Sequence, residues 1–434
     1  MLFRYPTVRS AFARRLLATA AACCLTAAAL PLVTQEAARA AYTPVTRAIF
    51  NNPYTAAQSA VYDEIVRLVD GADAGSVVRM AIFEARNPAI GAAIQRAIAR
   101  GVDVRVVHGS NSGVAGGSDP WTYDFLPART EANADASWHV ACGSVPGDAC
   151  VGTGIMHNKF ITLSSVGGVK DVVLITSQNW WASSPFWENA MVVVDNSGLY
   201  GKFNAYFSDL ALKHKNDDYY SSADGEPVSY NADGSVAASG YGVYRNYFFP
   251  LATGKDNPVL DMLTRADCTA RDLPAGLGHN GRTLIRVAMN GFTRGDIARQ
   301  LAELDREGCV VQVIYHVRDD GGNTSVVNAF RCSTVQRWWK LSGEGRALPK
   351  SVHSKWFAIS GQLKSGAREE IVYTGALNWT GPAIYANDES LLRISGGATF
   401  QAYFDNFSTI VHAPEATATT ADDWKTTTEP GGSC

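Results

Sequence analysis

The sequence predicts an α/β protein made of two homologous halves. Each half is a mixed sheet flanked by helices, and a pseudo-twofold axis relates them, with one active site between. Two observations carry this reading: a strand–helix–strand order that occurs twice, and a histidine–lysine motif at matching places in both copies. The length agrees, since 434 residues suit two or three domains. A hydrophobic fraction of 46 % is ordinary for a globular chain and too high for a disordered one.

Residues 1–40 are expected to be a cleaved export signal. Arg4, Arg9, Arg14 and Arg15 form a cationic start, Leu16 to Val33 is rich in Ala and Leu, and Ala38-Arg39-Ala40 is an A-x-A cleavage site before Ala41. The Arg14-Arg15 pair fits the twin-arginine route and, equally, the general one. The protein is therefore expected to be secreted after cleavage near Ala40. No other stretch approaches the roughly 18–20 consecutive apolar residues that span a bilayer. Losing five Arg and one Glu takes the formal net charge from −3 to −7, which speaks against bulk electrostatic binding of nucleic acid. Six cysteines remain, an even number suited to disulfides in an oxidising compartment. Cys142 and Cys150 bracket a short Gly/Pro loop and are expected to pair, while Cys268, Cys309, Cys332 and Cys434 allow three pairings. No C-x-x-C or H-E-x-x-H spacing points to a metal, and no cofactor is expected.

The first half, residues 41–214, opens with Arg47-Ala48-Ile49-Phe50 ahead of a helix near Thr55 to Val69. An apolar strand, Val77 to Phe83, leads to a helix with Ile90, Ile94, Ala97 and Ile98 at helical spacing. Gly101 stops that helix, and the alternating strand Val102 to Val107 follows. The second half, residues 243–412, repeats the order. Arg245-Asn246-Tyr247-Phe248 precedes a helix near Pro258 to Arg265. Strand Leu284 to Met289, helix Ile297 to Glu307, the stop Gly308 and strand Cys309 to Ile314 come next. Residues 215–242, rich in Ser, Gly, Asp and Tyr, read as the linker, and 413–434 as a tail.

The chemistry sits at matching places. His157-Asn158-Lys159-Phe160 and His353-Ser354-Lys355-Trp356 each begin an H-x-K-aromatic-x-x-aliphatic-Ser pattern. Side chains at i and i+2 of a strand share a face, so each motif sets an imidazole beside a fixed positive charge. A second strand follows in each half and leads to Ser177-Gln178-Asn179-Trp180 and to Ala376-Leu377-Asn378-Trp379. The acids Glu188 and Glu389 then start apolar strands. Two such sets facing across a pseudo-twofold axis make one pocket for an anionic ligand.

This order resembles the phospholipase D superfamily, whose signature is H-x-K-x4-D, then G-S-x-N, then an acid, in two copies. The resemblance covers essentially the whole chain after residue 40. It implies that one His attacks phosphorus to form a phosphohistidine. The other His protonates the leaving group and then activates water or an alcohol, with no metal. By position, His157 is the nucleophile and His353 the general acid/base, an assignment open to exchange. Lys159, Lys355, Asn179, Asn378 and Ser177 would bind phosphate. Glu188 and Glu389 would each orient a His, the one in the opposite half. The motif Asp is replaced by Ser164 and Ser360, as in the family's tyrosyl-DNA phosphodiesterase branch, where the Asp is also missing. The Gly-Ser pair is degraded to Thr176-Ser177 and Gly375-Ala376.

The leading expectation is a monomeric, secreted phospholipase D that hydrolyses or exchanges phospholipid head groups in transient contact with a membrane surface. The alternatives are a secreted nuclease or other phosphodiesterase of the same fold, with no stable nucleic-acid partner, and a non-catalytic phosphate-binding protein. Trp180, Trp181, Trp187, Trp356 and Trp379 either wall an apolar leaving-group site or pack beneath the strands. Trp338 and Trp339, beside Arg337 and Lys340, suggest a lipid-facing loop. His108 and His316 end corresponding strands, either bordering the pocket or as structural loop-end residues.

Overall fold

A computed structural model describes residues 42–427 except 110–123, 144–147, 182–184, 239–241, 319–322, 332, 343–349 and 414–424. The expected export signal, Cys332 and Cys434 lie outside the described residues.

The first sheet comprises β1 (Arg47–Phe50), β2 (Val77–Ile82), β3 (Asp103–His108), β4 (Trp138–Ala141), β5 (Lys159–Val166), β6 (Val169–Thr176) and β7 (Asn189–Val193). The second comprises β8 (Ser229–Tyr230), β9 (Tyr244–Phe249), β10 (Leu284–Met289), β11 (Val310–Arg318), β12 (Gln336–Ser342), β13 (Lys355–Gln362), β14 (Arg368–Gly375), β15 (Glu389–Ser395) and β16 (Lys425–Thr427). Their orders are β1-β7-β6-β5-β2-β3-β4 and β8-β9-β15-β14-β13-β10-β11-β12-β16. Read from β9 to β12, the second order repeats the first strand for strand, so the duplication extends to sheet topology. Both sheets are mixed: β2–β3 and β10–β11 are parallel, while β5–β6 and β13–β14 are antiparallel.

The helices are α1 (Ala60–Gly71), α2 (Pro88–Ala99), α3 (Ser197–Leu212), α4 (Pro258–Thr264), α5 (Gly295–Glu307), α6 (Thr324–Ala329), α7 (Gly381–Tyr385) and α8 (Gly397–Val411). Local chemistry explains the repeated crossover helix. In α2, Asn87 accepts hydrogen bonds from the Ala89 and Ile90 amides, and Pro88 fills the first turn. Its buried face carries Ile90, Ile94 and Ala97, and each buried Ile contributes about 1.5–3 kcal/mol. The matching helix α5 buries Ile297, Leu301 and Leu304 and ends on Gly308 at φ 115°, a left-handed conformation glycine adopts freely.

Two apolar clusters lie within the halves and two straddle them. In one straddling cluster Tyr206 of α3 stacks on Phe248 of β9. In the other, Tyr403 of α8 meets Phe50 of β1 edge to face. Each half's last helix thus packs on the other half's first strand, and β14 lies against β6 and β7. No helix among the described residues is long and apolar enough to cross a membrane.

Three segments differ from the sequence expectation. The described part of 215–242 contributes to the core: Tyr219 and Tyr230 are buried, and β8 pairs with β9. Their aromatic side chains outweigh the polar composition around them. Residues 425–427, read as tail, form β16 on the edge of β12. Trp338 lies on strand β12, not on a loop, with its ring against Phe407. Cys142 pairs with Cys150 as expected, and Cys268 pairs with Cys309.

Candidate active site

Each H-x-K motif sits at the entrance to a strand, β5 or β13, where the backbone bonds to that of the other half. The His157 amide donates to the carbonyl of Asp388, and the His353 amide donates to that of Trp187. Each histidine is thereby pinned beside the acid that follows its partner residue. His157 Nδ1 is hydrogen-bonded to Glu389 Oε2 at 2.8 Å, and His353 Nδ1 lies 2.8 Å from Glu188 Oε1. Both carboxylates are fully buried and both pairs cross the pseudo-twofold interface. With Nδ1 engaged, Nε2 of His157 is left for chemistry, while Nε2 of His353 lies 3.4 Å from Lys355 Nζ.

The lysines rise from the same strand ends and are completely buried. Lys159 Nζ donates to the His157 carbonyl at 2.8 Å, and Lys355 Nζ to the His353 carbonyl at 2.6 Å. Burial and the neighbouring Lys355 push Lys159 down to about 7, with Glu389, Glu84 and Glu188 opposing. Burial pushes Lys355 down to about 8, against the pull of Glu188 and Glu389.

The two His–Glu pairs are not equivalent. Burial opposes ionisation of Glu188, yet His353, Lys355 and Ser177 hold its carboxyl below the usual range. Burial drives Glu389 well above that range despite Lys159. Burial lowers both imidazoles: His353 falls to about 4 although Glu188 pulls it up, and His157 falls well below its ordinary value, with both lysines adding to the effect.

Asn179 is buried and its side chain makes no hydrogen bond among the described residues, with Oδ1 sealed from solvent. Asn378 Oδ1 accepts from the Gly291 amide at 2.9 Å, which orients its amide group. Ser177, expected as a phosphate ligand, bonds within the protein. Its fully buried hydroxyl donates to Glu188 Oε2 at 2.5 Å and accepts from the Asn189 amide, so it holds the carboxylate that holds His353. The turn at Thr176 to Gln178 points Ser177 back into the protein. Ser164 and Ser360, at the motif Asp positions, bond the Val77 and Gly278 amides, a structural use.

Four of the five tryptophans singled out by sequence, Trp180, Trp187, Trp356 and Trp379, are core residues. Trp181 is the exception: its ring lies 5.2 Å from that of His353 and meets Phe186 edge-on. Phe83 stands 5.5 Å from His157, and Lys159 Nζ is 5.5 Å from the same ring. The two histidines are therefore flanked by Phe83, Trp181 and Phe186. His108 bonds His139 and the Gly109 carbonyl, and His316 is buried on β11.

Several site residues escape sequence reasoning. Glu84 accepts a hydrogen bond from the Trp181 indole and adds a third carboxylate near Lys159. Asn189 bridges the halves, accepting from the Lys355 amide and donating to Thr374. Asp388 accepts from the amides of Val151 and Gly152 at 3.2 and 2.7 Å and from Cys150 at 2.5 Å. Its adjacency to Glu389 was the only available signal. Among the described residues, the one cluster with metal-ligand geometry is Cys142, Cys150 and Asp388, and its two sulfurs are bonded to each other.

Two α/β halves that pool paired histidines and lysines in one site define a phosphodiester-acting enzyme class. The chain belongs to the phospholipase D superfamily: the family model described as cardiolipin synthase, PLD-like domain, matches twice, over 66–211 and 279–411. Phosphatidylserine synthase from Haemophilus influenzae Rd KW20 is similar in fold, at 10 % identity and a TM-score of 0.55 over 91 % of each chain. Polyphosphate kinase from Porphyromonas gingivalis matches at 14 % identity and a TM-score of 0.48, over 84 % of this chain and 46 % of its own. This chain thus spans less than half the length of that kinase. Nuc from Salmonella typhimurium, a phospholipase D family member, matches 38 % of this chain and 91 % of its own, at 16 % identity and a TM-score of 0.27. No curated protein is a significant match.

Proposed function

We propose that the protein is a secreted, metal-independent phosphodiesterase of phospholipase D type that acts through a phosphohistidine on phospholipid head groups. The observation that carries this reading is the pair of cross-half bonds, His157 to Glu389 and His353 to Glu188, around two buried lysines. A phosphodiester transition state needs a nucleophile, an opposed acid and cations or N–H groups on the non-bridging oxygens. His157, neutral through burial, attacks phosphorus through Nε2. The P–O bond to the head group breaks as His353 delivers its proton to the departing oxygen. Glu188, held ionised, supports the imidazolium at His353, and the anionic substrate raises that histidine's proton affinity on binding. His353 then takes a proton from water or an alcohol, whose oxygen displaces His157. Lys159, Lys355, Asn179 and Asn378 hold the phosphate oxygens.

The aromatic walls Phe83, Trp181 and Phe186 favour a lipid over a nucleic acid, as does the low charge. Two disulfides support an oxidising compartment, in line with export. The test is to incubate the chain lacking residues 1–40, with EDTA, on phosphatidylcholine liposomes and on single-stranded DNA, beside His157→Ala and His353→Ala. Head-group release lost in both variants is the expected result. DNA cleavage with the same dependence would replace the lipid reading, and inactivity on every phosphodiester would end the enzymatic one.

A further inference from the structure

A second gathering of positive charge lies away from the catalytic residues, between the first sheet and α3. Arg79 on β2 and Arg105 on β3 are direct partners across a parallel pair, so their side chains stand side by side on one face. Trp138 on β4 is next in the row. With Arg129, Phe207 and Leu212 they line a cavity of about 150 Å³. The Arg129 guanidinium lies 5.5 Å from the Trp138 ring.

These charges are poorly met among the described residues. Arg79 has the Tyr200 hydroxyl at 3.3 Å. Arg105 has one carboxylate, Asp135 at 3.9 Å, which is fully exposed and therefore screened by water. The Arg105 Nε is buried without an acceptor among the described residues. Burial, then Arg79, with a further contribution from Arg129, lowers the proton affinity of Arg105 below its usual value, against Asp103 and Asp135. Like charges at directly paired strand positions are destabilising.

The duplication supplies an internal control. At the equivalent place in the second half, Arg286 pairs with Gln312, not with a second arginine. Arg286 Nε donates to the Gln312 amide oxygen at 2.8 Å and Nη1 to the Phe404 carbonyl. The rings of Phe404 and Phe407 lie 4.5 and 4.8 Å from its guanidinium. The fold is therefore satisfied by one arginine and one amide there, and the extra arginines of the first half need another explanation.

We propose that Arg79, Arg105 and Arg129 form a second anion site that takes a phosphate group, separate from the catalytic pocket. Guanidinium forks suit phosphate oxygens through bidentate hydrogen bonds. Phosphate can arrive free or as the head group of an anionic lipid, whose chains would lie toward the exposed Leu212 at the cavity edge.

The test compares the wild-type protein with Arg105→Gln, which copies the second half. Inorganic phosphate is titrated calorimetrically, and flotation is measured with phosphatidylcholine vesicles with and without phosphatidic acid. Wild type is expected to show two phosphate-binding phases. Arg105→Gln is expected to weaken one of them at least tenfold while hydrolysis of a soluble phosphodiester stays unchanged. A loss confined to phosphatidic acid vesicles assigns the site to a lipid head group, and a loss in the titration assigns it to free phosphate. Should Arg105→Gln melt early, the partly exposed Arg129→Gln carries the same comparison. Titration and flotation unchanged from wild type overturn the proposal.

Discussion

His157 and Glu389 stand 232 positions apart in the chain, yet His157 Nδ1 and Glu389 Oε2 are hydrogen-bonded at 2.8 Å. Neither H-x-K histidine finds its carboxylate within its own half, so the site exists only when the halves are packed together. If His157 is the nucleophile, His353→Ala can still be phosphorylated by a substrate with a good leaving group but cannot release the product. Mass spectrometry of His353→Ala after mixing should find an acid-labile adduct on His157, absent from His157→Ala. An adduct on His353 in the His157→Ala protein would reverse the two roles. Either substitution should lower kcat by about 10²–10⁴.

Ser177 offers a sharper distinction. A phosphate ligand and a holder of Glu188 predict different kinetics. Ser177→Ala frees Glu188 Oε2 while leaving the phosphate contacts in place. It should lower kcat about tenfold with KM nearly unchanged, and Ser177→Thr should restore part of the loss. A rise in KM at constant kcat would return Ser177 to the phosphate.

Charge loss at the lysines sets the alkaline side. Burial and mutual repulsion lower Lys159 to about 7, and burial lowers Lys355 to about 8. Because the protonated form is the one that holds phosphate, kcat/KM should fall as pH rises through about 7 to 8. Lys159→Arg, whose charge does not titrate in this range, should move the fall upward. A flat profile to pH 10 would contradict the role of the lysines.

Asp388 ties the 150–152 turn of the first half to the strand that carries Glu389. Asp388→Asn puts an amide N–H against backbone donors, and should cost about 1.5–3 kcal/mol, measured by urea unfolding. Part of the activity should go with it, as His157 is positioned from the Asp388 carbonyl. Breaking the Cys142–Cys150 bond by Cys142→Ser/Cys150→Ser should act in the same direction.

Trp181→Ala removes the wall beside His353 without touching an atom that bonds phosphate. It should raise KM for lipid vesicles several-fold more than for a short, water-soluble phosphodiester. Equal effects on both substrates would make Trp181 a support for His353 alone.

Much of the site was legible because chemistry demands particular residue types at particular spacings. H-x-K at 157–159 and 353–355, and the amide and acid that follow, repeat in order, and repetition is visible without coordinates. The expectation that each acid orients the histidine of the opposite half matches the observed pairs. The Ser177–Glu188 bond was not legible, because the direction of one side chain after a strand depends on which neighbour claims it. Glu84 and Phe83 were invisible for another reason: their counterparts after β10, Asn290 and Gly291, are chemically unlike them, so no repeat marks them. Trp181 differs from Trp180 only in which side of the chain it leaves, and that is set by packing against Phe186 and His353.

By itself the sequence determined the local parts: which segments are strands or helices, where Gly101 and Gly308 end two of the helices, and that two like halves exist. Such features depend on neighbours a few positions away, through backbone hydrogen bonding and the period of apolar side chains. Only the tertiary structure decided that β14 lies against β6 and β7, that Asn189 and Asp388 tie one half to the other, and that Arg79 stands beside Arg105 with only the exposed Asp135 near. Those arrangements join residues distant in the chain, and they follow from burying two apolar sheet faces and shared helices at once. That sum over the whole interface is written in no single motif.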